Sequence, residues 1–170
     1  MDLNTYIRDV LNYPKEGVVF KDITPLLKDA RALDYAANAL LDLVKNCKVD
    51  KVVGMESRGF FFAPILAREL NAGFVPVRKP GKLPSKIISE TYHLEYGTDT
   101  LEIHADSIIK GDKVLIHDDV LATGGTAEAV CKLVEKLGGE IVQCNFLLEL
   151  DFLKGNKKLQ GYEISSLLHY

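Results

Sequence analysis

Residues 114–126, VLIHDDVLATGGT, constrain this chain more than any other stretch. A short apolar run leads through His117 into two adjacent carboxylates, Asp118 and Asp119. A Thr123-Gly124-Gly125-Thr126 turn follows, and helical spacing begins at Ala127. The pattern predicts a strand, a tight loop and a helix N-terminus. Unpaired N–H groups at a helix start, with the helix dipole behind them, attract phosphate. Gly124 and Gly125 let the main chain approach an anion closely. Two carboxylates would repel phosphate, so they point to another part of the same ligand. Vicinal sugar hydroxyls and water bound to Mg²⁺ both donate to carboxylates. A ligand combining phosphate, ribose and Mg²⁺ is the deduction. Acids ahead of a Gly-Gly turn also fit an ordinary capped turn. The fixed order of strand, acid pair and Thr-flanked glycines favours a binding site.

Strand and helix patterns alternate along the rest of the chain. Residues 3–11 read as a short amphipathic helix, and 12–22 as an extended stretch containing Pro14 and Gly17. Helices are expected at 32–46, 60–70 and 126–137, and strands at 51–55, 74–77, 113–117 and 141–150. Residues 87–104 alternate polar and apolar positions around a turn at 96–99, which predicts an antiparallel hairpin. This alternation predicts an α/β fold whose parallel sheet carries helices on both faces. Active loops then fall at the carboxyl ends of the strands. The loops at 56–59 and 118–126 both do.

Residues 114–126 resemble the motif by which type I phosphoribosyltransferases bind 5-phosphoribosyl pyrophosphate (PRPP). Four further segments narrow the resemblance to the adenine-specific members: 17–27 (GVVFKDITPLL), 54–60 (GMESRGF), 77–84 (VRKPGKLP) and 92–97 (YHLEYG). The likeness spans essentially the whole chain. It departs from the common pattern at Lys21, where many members carry Arg, and at His117, where an aliphatic residue is usual. The resemblance implies the type I phosphoribosyltransferase fold in a single domain over 1–170. That fold has a central parallel sheet flanked by helices, a small N-terminal hood and an antiparallel flexible-loop hairpin. The implied reaction belongs to purine salvage and converts adenine and PRPP to AMP and pyrophosphate with Mg²⁺, in a homodimer.

The same resemblance assigns roles. Ala122, Thr123, Gly124, Gly125 and Thr126 cradle the 5′-phosphate. Asp118 and Asp119 hold the ribose hydroxyls, directly or through water on Mg²⁺. Ser57, Arg58 and Gly59 form a pyrophosphate loop, with a cis peptide implied at Glu56–Ser57. Seen alone, Arg58 also fits a surface side chain. Arg78, Lys79 and Lys82 offset pyrophosphate charge, one of them reaching across the dimer interface. Val19, Phe20 and Lys21 form the base pocket, although the residues alone, without the resemblance, favour simple core for Val18 to Phe20. Residues 92–97 form a lid, in which Glu95 accepts the base proton and Tyr96 covers the ribose. An exposed hairpin carboxylate is the plainer alternative for Glu95.

Composition limits the alternatives. A formal charge of −3 over 170 residues gives no broad field for nucleic acid, so anion binding must rest on local cations. Cys47, Cys131 and Cys144 show no paired spacing, which suits reduced thiols and not a zinc site or a disulfide framework. The four histidines show no ligand spacing. No apolar run approaches the roughly 20 residues of a membrane span, and the first residues lack a basic-then-apolar pattern. A cytoplasmic protein that engages neither membrane nor nucleic acid is expected. A transferase for hypoxanthine or xanthine, or an inactive PRPP-sensing regulator, remains as an alternative.

Overall fold

Buried apolar runs fix the centre of the molecule. The computed structural model describes residues 1–44, 46–93 and 97–170. The chain forms two compact units, Met1–Ala39 and Leu40–Tyr170.

In the first unit a 3-10 turn, Leu3–Tyr6, is capped by Asp2, whose carboxylate accepts from the Asn4 amide at 3.0 Å. Strand β1 (Arg8–Leu11) then pairs antiparallel with β2 (Val19–Asp22). The helix expected over residues 3–11 is therefore absent. Nine residues are too few for a stable isolated helix. The register instead pairs opposite charges across the hairpin, Arg8 with Asp22 and Asp9 with Lys21. The intervening turn holds Asn12 and Gly17 at positive φ, and the Gly17 amide donates to Asn12 Oδ1 at 2.9 Å. Helix α1 (Thr24–Lys28) follows. Helix α2 (Ala30–Asp42) begins where Asp29 Oδ1 accepts from the Arg31 and Ala32 amides, and it runs on into the second unit.

The second unit is built on five parallel strands: β3 (Lys51–Met55), β4 (Gly73–Val77), β7 (Lys113–Leu121), β8 (Glu140–Glu149) and β9 (Ile164–His169), in the order β4-β3-β7-β8-β9. Val52, Val53, Val114–Ile116 and Phe146–Leu148 are fully buried, as a parallel sheet covered on both faces requires. On one face the Leu40 and Leu43 carbonyls of the α2 segment receive the Asn145 and Gln143 side chains. On the other, α4 (Gly125–Lys136) packs Val130, Cys131 and Val134 into the core with Cys144 and Phe146. The same core takes residues of an antiparallel hairpin, β5 (Ile87–His93) and β6 (Thr98–His104). Reciprocal backbone bonds between Arg78 and Glu102 tie that hairpin to the end of β4.

The expected α/β architecture is thus present, with three local differences in the second unit. Residues 60–70 split into a 3-10 turn, Arg58–Phe61, and α3 (Ala63–Glu69), because Pro64 can enter a helix only in its first turn. Strand β9 was not anticipated: its polar Ser165 and Ser166 weaken the apolar signal of an edge strand. Strand β7 does not stop at His117 but runs through both carboxylates to Leu121. Phe146 and Leu148 of β8 supply ladder partners for Asp118 and Val120, so the acids sit inside a paired strand.

Candidate active site

The acid pair is electrostatically uncomfortable. Asp119 is 2% exposed, and its Oδ2 lies 3.1 Å from Arg58 Nε but has no hydrogen-bond partner among the described residues. Asp118 is half-buried, and its Oδ1 accepts from the Asp119 amide at 2.9 Å. Burial and the neighbouring Asp119 charge push the Asp118 carboxyl well above the ordinary carboxylate range. Burial also raises Asp119, with Arg58 working against the shift. Gly59 lets the Arg58 loop come this close, since a Cβ there would stand 3.0 Å from both Asp118 Oδ1 and the His117 carbonyl.

Glu56 is the opposite case. It follows β3, and its peptide bond to Ser57 is cis, as the resemblance implied. Its Oε2 accepts from Arg78 Nε at 3.1 Å and from the Lys79 amide at 2.8 Å, while Lys82 Nζ donates to Oε1. Burial alone would raise Glu56, but Lys82, the Lys79 amide and Arg78 outweigh it and hold its pKa at about 2. Glu56 thereby gathers the basic cluster expected at 78–82.

Ser57, Arg58, Lys79, Asp118, Asp119 and Thr126 line one recess, together with Glu56, Tyr92 and Leu101. Lys79 Nζ pairs with Asp99. Asp99 also accepts from Tyr92 Oη at 3.2 Å, and Tyr92 Oη accepts from Thr126 Oγ1 at 3.2 Å. This chain of bonds runs from the basic cluster to the first turn of α4. Asp118 and Thr126 also line a second recess with Ala122, Thr123 and Gly124, at the start of α4. Gly124 precedes the helix at φ +78°, and a Cβ there would lie 2.3 Å from the Gly155 carbonyl oxygen. Gly155 in turn would drive a Cβ to 2.1 Å from the Ala122 oxygen, so the β8–β9 connection backs the loop. Gly125 is less restricted, its nearest neighbour on adding a Cβ being the Tyr92 ring at 3.4 Å.

The structure brings Ser57 and Arg58 after β3, Lys79 after β4, Asp118 and Asp119 towards the end of β7, and residues 122–126 after it to two adjoining recesses, with Arg78 and Lys82 joined through Glu56. Val19, Phe20 and Lys21 lie on β2 of the first unit. There Phe20 meets Tyr13 edge-on at 5.2 Å, and Lys21 Nζ donates to Asp9 at 2.7 Å. Glu95 and Tyr96 fall outside the described residues. The sequence places Tyr92 in the lid and Glu56 in the 56–59 loop but assigns no role to either side chain, and it does not single out Asp99. Glu56 stands inside the segment that carried Ser57 and Arg58. The Tyr92–Asp99 pairing depends on hairpin register, which alternation alone does not set.

His117 is not part of the site. It is fully buried, its Nδ1 is 3.0 Å from Asn145 Oδ1, and burial lowers its pKa to about 4. Because Asn145 Nδ2 donates to the Leu40 carbonyl and to Gln143 Oε1, its Oδ1 faces the imidazole, which makes Nδ1 the protonated nitrogen.

Residues 21–164 match the model of the phosphoribosyl transferase domain. The adenine phosphoribosyltransferase of Flavobacterium johnsoniae is 64% identical over the whole of both chains. The crystal structure of adenine phosphoribosyltransferase from Thermoanaerobacter pseudethanolicus superposes with a TM-score of 0.97 at 51% identity, over 99% of this chain and 98% of that one. The enzyme from Saccharomyces cerevisiae, solved with an imino-altritol bisphosphate and adenine, gives a TM-score of 0.92 at 41% identity, over 97% and 96%. Full-length similarity at this level, joined to a Gly-Gly turn beside an acid pair, places the chain: it belongs to the phosphoribosyltransferase family, in its adenine phosphoribosyltransferase branch.

Proposed function

We propose that the chain transfers the 5-phosphoribosyl group of PRPP to adenine, releasing pyrophosphate and forming AMP. The observation that carries this reading is the junction of an acid pair, Asp118 and Asp119, with a helix-start anion cradle on one side and Arg58 and Lys79 on the other. Few ligands present a phosphomonoester, two hydroxyls and a pyrophosphate in that order.

Displacement at the anomeric carbon passes through an oxocarbenium-like state, so the protein must hold both reactants and stabilise separating charge. Main-chain N–H groups and the Thr123 and Thr126 hydroxyls anchor the 5′-phosphate. Asp118 and Asp119 accept from the ribose hydroxyls, and their negative charge favours the cationic ring. Arg58, Lys79 and the Glu56-held pair Arg78 and Lys82 stabilise departing pyrophosphate. The residues fit a hydrated Mg²⁺: two adjacent carboxylates, one bearing a buried oxygen with no hydrogen-bond partner among the described residues, suit a divalent cation or its waters. Bound there with PRPP, Mg²⁺ supplies charge neutralisation. Glu95 takes the base proton and Tyr96 covers the ribose. Val19 and Lys21 read adenine with main-chain groups, while Phe20 offers the ring an apolar face.

The family match at 21–164 crosses the boundary between the two units, which supports treating 1–170 as one functional domain. A homodimer that shares a cation of the 78–82 cluster completes the reading. The free thiols of Cys47, Cys131 and Cys144 suit the cytoplasm, and no described helix is long and apolar enough to cross a membrane. Pyrophosphate release with adenine, hypoxanthine, guanine and xanthine tests the proposal. Adenine alone is expected to support turnover at low concentration. Equal use of another purine, or no release with any, overturns it.

A further inference from the structure

Away from the recess, three potential ligands converge where β8 and β9 end. Glu149 closes β8, His169 closes β9, and the two are register partners. Asp151 opens the 3-10 turn that follows β8. Backbone bonds hold this corner: the Tyr170 amide donates to the Glu149 carbonyl at 3.0 Å, and the Asp151 amide to the Tyr170 carbonyl at 2.8 Å. One ligand-capable atom from each of Glu149, Asp151 and His169 lies within 4.8 Å of the other two. Ligands on a common ion with bonds of about 2.0–2.2 Å stand roughly 3–4 Å apart, so small side-chain movements suffice.

Proximity alone describes a surface His–Asp pair, and His169 Nδ1 does lie 2.9 Å from Asp151 Oδ1. Glu149 does not fit that plain account. Its side chain is only 5% exposed, and Oε2 accepts from Ser166 Oγ at 3.1 Å, but Oε1 is buried with no hydrogen-bond partner among the described residues. A buried carboxylate oxygen left without a partner is costly. An ion among the three side chains would give this carboxylate a charge partner. Asp151 and His169 are half exposed, so the opposite side stays open for water ligands.

We propose that Glu149, Asp151 and His169 bind one divalent first-row transition ion of the Zn²⁺ type. An imidazole with two carboxylates selects such an ion over Mg²⁺, which prefers oxygen alone. The site is separate from Asp118 and Asp119. The Leu150 amide donates to the Leu121 carbonyl at 2.9 Å, so an ion here would stiffen the connection that backs the phosphate cradle.

The test is calorimetric titration of the chelator-stripped full-length protein with Zn²⁺, alongside visible absorption on titration with Co²⁺. A Cys47→Ser background removes the exposed thiol as a competing ligand. One ion per chain is expected, with Zn²⁺ raising the melting temperature by a few degrees. His169→Ala and Asp151→Asn, both at exposed positions, should each weaken binding by roughly 100-fold and abolish the thermal shift. Failure of the parent protein to bind, or binding unchanged in both variants, overturns the proposal.

Discussion

Glu56 follows the end of β3, Asp118 sits within the neighbouring β7, and both carboxylates line the same recess. Glu56 is met by Arg78, Lys82 and a main-chain amide and stays charged down to about pH 2. Asp118 is met by another carboxylate and by burial, and its proton is held well above the usual range. The protein satisfies the first carboxylate internally and leaves the second in want of a cation or hydroxyl donors. The first positions cations, and the second is the one that the proposed function assigns to the ligand.

The largest expected effect comes from blocking the cradle beside the acid pair. Gly124→Val must adopt a left-handed φ and place Cβ against the Gly155 carbonyl. PRPP affinity measured by calorimetry should fall at least about 100-fold, with a loss of about 1–3 kcal/mol in folding stability. Gly125→Ala meets only ordinary contacts and should lose less than about tenfold. Equal tolerance at both glycines would break the picture of a loop braced by Gly155.

Glu56→Gln sharpens the comparison from the other side. Releasing Arg78 and Lys82 should raise the KM for PRPP by about tenfold or more, with a smaller change in kcat. Because the folded pKa of Glu56 lies below the unfolded value, its contribution is full above about pH 4.5 and is lost as pH falls towards about 2. Acid unfolding curves should therefore be flatter in that window for the variant. Superimposable curves would show that the cation cluster does not depend on this charge.

His117 gives a smaller effect. Its folded pKa of about 4 lies below the ordinary 6.5, so the unfolded chain takes up the proton first and stability falls as pH drops from 6.5 to 4. The slope cannot exceed about 1.4 kcal/mol per pH unit. His117→Leu should remove that slope while leaving KM values unchanged. An altered KM for PRPP would place His117 in the site after all.

The smallest effect is expected at Lys21→Arg. Adenine offers a 6-amino donor beside an N1 acceptor, whereas hypoxanthine and guanine offer the reverse. Two mismatched buried groups at about 1–3 kcal/mol each give roughly 10²–10⁴-fold selectivity. With main-chain groups as the readers, the ratio of kcat/KM for adenine over hypoxanthine should stay within about twofold. A switch in selectivity would mean that the side chain does the reading.

What the sequence conveyed divides along physical lines. Apolar runs such as Val52–Val53 and Val114–Ile116 announced the parallel strands, because burial on both faces removes the alternation of a half-exposed sheet. Glycines beside an acid pair announced the tight turn into α4. Contacts set by register were not legible: Tyr92 opposite Asp99, Arg8 opposite Asp22, and the extension of β7 through its acids because β8 supplies partners. The pairing of Glu56 with three groups more than 20 residues away is also invisible in a linear pattern.

The central claim is that Asp118 and Asp119 serve the ligand and not the fold, and the double variant Asp118→Asn with Asp119→Asn tests it most directly. Calorimetric titration with PRPP and Mg²⁺ should be run beside urea unfolding of the same samples. The account predicts ligand affinity reduced by roughly 100-fold or more, with unfolding free energy unchanged or slightly increased because a buried like-charge pair has been removed. Wild-type affinity in the variant, or a collapse of stability with affinity retained in the folded fraction, would contradict it.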